Sequence, residues 1–202
     1  DSNVIVAANR TPMGGFQGSL SEVTAPNLGA TAIKAALNNS GLAADDISEV
    51  IMGNVLHAGL GQAPARQAML HADLPRSTGA TTINKVCGSG LKAAMMAHDL
   101  IKAGSADVVL AGGMESMSNA PYMLPKGRSG YRMGHGQVLS HMMLDGLEDA
   151  YEHKAMGCYA QDTADEYGLG REAMDEFAIH SLTKAQAAIK DGFFKDEITP
   201  VT

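Results

Sequence analysis

The sequence has no tryptophan, two cysteines, seven prolines and 4% aromatic residues in a chain of 202. Each shortage excludes something. Two cysteines, Cys87 and Cys158, cannot build a disulfide scaffold. No apolar run approaches the roughly eighteen residues of a transmembrane helix. Positive charge is also short: 15 Lys and Arg stand against 22 Asp and Glu, for a net charge of -7. A broadly basic nucleic-acid surface is therefore not expected, although a local Lys/Arg cluster can still bind an anionic small molecule. The opening DSNVIVAANR has no basic stretch leading into a long apolar one, so no secretory signal is read and the cytoplasm is the expected location.

The composition is 45% hydrophobic and 18% charged, which suits a globular chain with one substantial core. The first half alternates strand and helix signals. Val4 to Ala7 reads as a short strand, Asn27 to Asn38 as a helix closed by Gly41, and Val50 to Met52 as a second strand. Pro64 opens a helix running to about Ala72, Thr81 to Val86 reads as a third strand, and Asp107 to Leu110 begins a fourth. Between the last two, Ser89 to Ala103 reads as a helix that buries Leu91, Ala94, Met95, His98 and Ile101 on one face. This βαβα order predicts an α/β fold, a sheet layered with helices, over residues 1–119. From about residue 120 the chain changes character. Pro121 to Gly136 reads as an irregular excursion carrying Lys126, Arg128 and Arg132. The rest turns helical without strands, most clearly over Arg171 to Lys190, where Met174, Phe177, Leu182 and Ile189 share a face. Residues 120–202 are therefore read as a mostly helical subdomain.

Cys87 is the most informative residue. It stands between an apolar strand and a helix in NKVCGSGLKA, where Gly88 and Gly90 permit a tight strand-to-helix turn. Such a turn exposes a side chain at the strand end, and the N–H groups of the following helix favour a thiolate and a developing oxyanion. The other reading is a small buried hydrophobe, the usual fate of a free cysteine. The hydrolase pattern G-x-S-x-G is not met, because Cys87 stands two before Ser89. Gly59-Leu60-Gly61 is only half of a dinucleotide fingerprint. His57, His71 and His98 lack metal-ligand spacing, and no metal site is read. Cys158 is read as structural. Glu115 is read as a hydrogen-bond anchor, with an active-site role as the alternative. The Lys126, Arg128 and Arg132 cluster is read as a solvated loop, an oligomer contact or a phosphate contact. Met133, Met142, Met143 and Met156 offer adaptable apolar surface to a flexible ligand.

Taken together, ANRTPMGGFQGSL, GNVLHAGLGQAPARQ, INKVCGSGLKA, AGGMESMSNAPY, GYRMG, DGLEDAY, MGCYAQDTA and FKDEITPV closely resemble the N-terminal half of a thiolase, in order and with matching spacing. The resemblance covers essentially the whole chain and implies a thiolase-like N-terminal α/β domain with a mixed sheet, plus a loop subdomain. It implies that Cys87 is a nucleophile that accepts an acyl group from a CoA thioester, in ping-pong covalent catalysis. Two acetyl-CoA are then condensed, or acetoacetyl-CoA is cleaved. It implies turn and oxyanion roles for Gly88 and Gly90, and a pocket for acyl group and pantetheine lined by Leu147 and Met156. The CoA thioester is a substrate, and no permanently bound cofactor is implied. A homodimer or homotetramer is, with no nucleic acid or membrane as partner. Two departures stand out: Ala155 replaces a common His, and Ala63 replaces a common Asn. The thiolase second half, with its Gly-His-Pro histidine and a second cysteine, has no counterpart here. The 202 residues are therefore expected to be inactive alone and to self-associate through apolar surface that the twin α/β domain covers. The alternatives kept are a thiolase for longer 3-ketoacyl-CoA chains and a non-catalytic module that binds acyl-CoA or a partner.

Overall fold

The computed structural model describes residues 2–202. Three parallel strands form the central sheet: β1 (Glu49–Gly53), β2 (Gly79–Ile83) and β3 (Val109–Gly113), in the order β2-β1-β3. Glu49 pairs with Gly79 on one side and Val109 on the other, and Gly53 with Ile83 and Gly113. All three strands therefore end level, and loops leaving that edge share one space. β1 is central and closely covered, with Val50, Ile51 and Met52 all buried. A parallel strand buried on both faces reads as such a continuous apolar run.

One helical layer comprises α1 (Ala25–Ser40) and α2 (Pro64–His71). Pro26 sits in the first turn of α1, where its missing N–H costs nothing, and Gly41 ends the helix at φ 74. Ile33, Ala65, Ala68 and Met69 join Val50 and Met52 in one core cluster. Met114, just past β3, belongs to the same cluster and packs on α1 at Gly29, where a Cβ would lie 2.6 Å from its sulfur.

The helix α3 (Ser89–Lys102) packs on β1 and β3, but not through the expected face. Its buried residues are Ser89, Ala93 and Ala97, whereas Leu91 and Met95 are exposed. Small residues let the helix approach the strand backbones. A Cβ on Gly53 would lie 2.5 Å from Ser89 Cβ, and one on Gly113 would lie 3.3 Å from Gly90 Cα. Bulkier side chains at this contact would hold α3 away from the sheet.

Other expectations also change. Val4 to Ala7 forms no strand: Val4 and Ile5 are exposed, and no ladder is offered to them among the described residues. β-branching favours a strand only where a neighbour supplies hydrogen bonds. The third strand starts and ends earlier than read, because Asn84 to Val86 already belong to a turn. The region after residue 120 holds a small antiparallel ribbon, β4 (Tyr122–Met123) with β5 (Leu139–Ser140), which the helical reading missed. A π-helical turn, Met142–Leu147, follows, then α4 (Met156–Glu166) and α5 (Arg171–Lys190). The apolar stripe of α5 is present, yet Phe177, Leu182 and Ile189 are all exposed. The end of the chain returns to its beginning. Arg10 N–H donates to Glu197 O and Arg10 O accepts from Thr199 N–H, both at 2.8 Å. The Arg10 guanidinium lies 3.0 Å from Glu197 Oε1 and over the Phe194 ring.

Candidate active site

The β2–α3 connection is held by a dense set of short hydrogen bonds. Asn84 Oδ1 accepts from Val86 N–H at 2.8 Å, so the Asn side chain folds the backbone back on itself. Gly88 N–H donates to Lys85 O, and Ser89 N–H to Val86 O, both at 3.1 Å. The Ser89 hydroxyl donates to Val86 O at 2.6 Å and accepts from Lys85 N–H at 2.8 Å. Val86, between these anchors, is held at φ 47. Left-handed backbone is a genuine outlier for a β-branched residue, so the surrounding bonds must over-determine it. The next residue is Cys87, which is exposed. The buried-hydrophobe reading of Cys87 therefore does not hold.

The glycines have distinct parts. The Gly88 amide is spent on Lys85 O, so it closes the turn and is not free for an oxyanion. Gly90 lies against Gly112 and Gly113, where it lets the first turn of α3 sit on β3.

Cys87 opens onto a cavity of about 390 Å³ beyond the C-terminal ends of the strands. Its walls are mainly apolar: Val55, Leu56, Met114, Met117 and Leu147, with Val86 beside the cysteine. Ligands of open parallel sheets lie at this edge. Leu147 reaches the cavity from the π-helical turn, so the structure joins it to Cys87 across sixty residues of sequence. Met156, the first residue of α4, is half exposed and does not line this cavity.

Glu115 borders the cavity, but its carboxylate turns to the backbone. Oε1 accepts from Asn54 Nδ2 at 2.8 Å and Leu56 N–H at 2.9 Å, and Oε2 accepts from Val55 N–H at 2.9 Å. This is the anchor reading: one carboxylate shapes the loop after β1. Asn54 is fully buried and also donates to Met114 O at 3.2 Å.

Sequence reading overlooked His141. It is buried, with Nε2 facing Ala58 N–H at 3.3 Å and Nδ1 2.6 Å from Asp145 Oδ2. The available signal was the four-residue spacing of a His and an Asp beside Leu147. Farther out, Asp149 Oδ2 accepts from Glu152 N–H at 2.6 Å and Tyr151 N–H at 3.0 Å. The Glu152 amide bond is the main cause that holds the Asp149 carboxyl below its ordinary value, and it shapes the loop leading to Met156. Cys158 is exposed in the first turn of α4. Lys126, Arg128 and Arg132 are exposed on the excursion. Among the described residues, no three His, Cys, Asp or Glu side chains cluster as metal ligands, and no side chain hydrogen-bonds to Cys87 Sγ. No helix among them is long and apolar enough to cross a membrane.

The family model described as the thiolase N-terminal domain matches residues 3–202. The acetyl-CoA acetyltransferase of Cupriavidus necator is 55% identical over 198 residues, covering 98% of this chain and 50% of that protein. The acetyl-CoA acetyltransferase of Escherichia coli is 53% identical over 199 residues, covering 98% and 50%. Acetyl-CoA acetyltransferase IB of Candida tropicalis is 50% identical over 199 residues, covering 98% and 49%. The chain thus spans about half the length of the curated relatives it matches.

Proposed function

This chain belongs to the thiolase family, through its N-terminal domain, and from that premise we propose that Cys87 is the acyl-accepting nucleophile of an acetyl-CoA C-acetyltransferase. The observation that carries the reading is an exposed cysteine on a strained strand-to-helix turn, facing an apolar cavity. Covalent catalysis needs a side chain presented this way, because the carbonyl must approach sulfur without displacing the fold.

The chemistry follows in two halves. The Cys87 thiolate attacks the thioester carbonyl of acetyl-CoA, and the tetrahedral intermediate collapses with loss of CoA thiolate. Acetyl-Cys87 remains. A second acetyl-CoA loses an α-proton to a base, and its α-carbon attacks the acetyl carbonyl. A carbon–carbon bond forms, the cysteine sulfur leaves, and acetoacetyl-CoA is released. The reverse sequence cleaves acetoacetyl-CoA with free CoA. Val55, Leu56, Met117 and Leu147 give the acyl end an apolar wall. Residues 1–119 hold the nucleophile, and residues 120–202 cover it and meet the pantetheine, with Met156 at its outer reach. In this reading the 202 residues alone carry out no turnover, since the resemblance assigns the base for Cys87 and the base for the α-proton to the thiolase second half. The complete enzyme is a cytoplasmic homo-oligomer in this reading.

Peptide mass mapping after exposure to acetyl-CoA tests the reading. The complete gene product is expected to carry acetyl on Cys87, the Cys87→Ala variant none, and the 202-residue chain little or none. Acetyl absent from Cys87 in a folded, complete protein would overturn it.

A further inference from the structure

Among the described residues, the mechanism leaves one buried titratable side chain unused. His141 is 6% exposed and ties together three segments distant in sequence. Its backbone N–H donates to Pro121 O at 3.1 Å. On the ring, Nε2 faces Ala58 N–H at 3.3 Å, and Nδ1 lies 2.6 Å from Asp145 Oδ2. A backbone amide can only donate, so Nε2 is the acceptor and Nδ1–H donates to Asp145. One tautomer satisfies both partners.

What these bonds connect gives them meaning. Ala58 lies on the loop that carries Val55 and Leu56. Asp145 lies in the π-helical turn that carries Gly146 and Leu147. Val55, Leu56, Gly146 and Leu147 all line the Cys87 cavity. The walls touch: a Cβ on Gly146 would lie 3.3 Å from Leu56 Cδ2. Glu115 fixes the first loop to the residues after β3, while His141 fixes that loop to the π-helical turn. The spacing of the two walls therefore depends on the imidazole between them.

We propose that His141 is a positioning residue for acyl-chain selectivity. By holding Ala58 to Asp145 it keeps Gly146 against Leu56 and so closes the cavity at that contact, which limits it to short acyl groups. The proposal rests on Cys87 as the acyl acceptor. His141 itself touches no reacting atom. Its removal loosens that contact and admits longer chains, and a side chain that restores the Ala58 acceptor restores the limit.

The test compares the complete wild-type gene product with His141→Ala and His141→Gln. Thiolysis of six-carbon and four-carbon 3-ketoacyl-CoA gives a ratio of kcat/KM. In His141→Ala that ratio is expected to rise about tenfold, the discrimination one or two methylenes command in a fitted apolar pocket. The rise falls on KM for the six-carbon substrate, while kcat for the four-carbon substrate changes less than about threefold. His141→Gln, whose amide oxygen can accept from Ala58, stays within about threefold of wild type. A second readout needs no turnover: alkylation of Cys87 by N-hexyl against N-methyl iodoacetamide, where the same shift is expected. A folded His141→Ala with both ratios unchanged overturns the proposal. If wild type shows no thiolysis but the alkylation ratio still shifts, the wall-spacing role stands and the acyltransfer reading fails instead. Should His141→Ala not fold, Gly146→Ala crowds the same contact, since its methyl lies 3.3 Å from Leu56 Cδ2 and takes up space at the cavity wall. Its N-hexyl to N-methyl alkylation ratio and its six- to four-carbon thiolysis ratio should both fall, and unchanged ratios overturn the proposal.

Discussion

Replacing Ser89 with alanine tests the turn that presents Cys87. The substitution keeps the Cβ that packs against Gly53, so little packing is lost. What disappears is a hydroxyl that bonds Val86 O at 2.6 Å and Lys85 N–H at 2.8 Å. Each bond contributes about 1 kcal/mol net, and a stranded Lys85 N–H raises the loss to about 2–3 kcal/mol if the turn stays put. The turn has an alternative. Val86 at φ 47 carries about 1–2 kcal/mol of left-handed strain, which is recovered if it swings to negative φ. The expected net loss of stability is therefore about 1–2 kcal/mol, with Cys87 displaced rather than the fold lost. A relaxed turn favoured by that strain leaves Cys87 in its native position about five- to thirtyfold less often. Iodoacetamide alkylation of the complete gene product reads this directly, because Cys87 and Cys158 are both exposed and Cys158 is an internal reference. The Cys87 to Cys158 rate ratio should fall by that factor in Ser89→Ala. Adding Val86→Gly should restore most of it, since glycine adopts positive φ without strain. An unchanged ratio and a stability change below about 0.5 kcal/mol would refute the bracing argument.

Two further outcomes follow from the same kind of accounting. Ala63 opens α2 at φ 49 and ψ 67, a left-handed position that asparagine visits routinely and alanine does not, so Ala63→Asn is expected to stabilise the protein by about 1 kcal/mol. A urea midpoint that stays put or falls would count against it. Asp149 has its carboxyl lowered chiefly by the Glu152 amide, so its ionised form is favoured in the folded loop. That contribution is complete above the ordinary value of 3.8 and is lost as pH falls through the lower folded one. Amide resonances of Tyr151 and Glu152 should shift together below pH 3.8, and Asp149→Asn should lose that titration. Resonances that titrate independently of Asp149 would refute the assignment.

Elements made by local signals were legible in the sequence. Gly41 and Pro64 marked helix ends, and Val50 to Met52 marked the central strand, because capping and burial act on neighbouring residues. The strand-to-helix turn at Cys87 was legible for the same reason: two glycines and a serine within four residues announce a tight bend. Val4 to Ala7 misled, because a ladder is a property of two segments and the sequence states only one. His141 went unread for a related reason. Its partner Asp145 is near in sequence, but Ala58 and Pro121 come from elsewhere, and only the fold brings them to one ring. The departure at Ala63, where the resemblance implies asparagine, gained a physical meaning only once φ was known.

The α3 face shows why the site's position is harder to read than its chemistry. Helical periodicity counts bulk, and bulk on this helix lies at Leu91 and Met95, which are exposed. The contact that matters is made by Ser89, Gly90, Ala93 and Ala97, residues chosen for what they lack. Because Ser89 meets Gly53 through its Cβ alone and Gly90 meets Gly113 with no side chain between, the first turn of α3 rests directly on two strand ends. Cys87, two residues before that contact, is thereby set at the sheet edge within the cavity that Leu147 closes. A single methyl group on Gly53 would demand that Ser89 move, and the hydroxyl that holds Val86 would move with it. The nucleophile's place is thus determined by close approach of backbones.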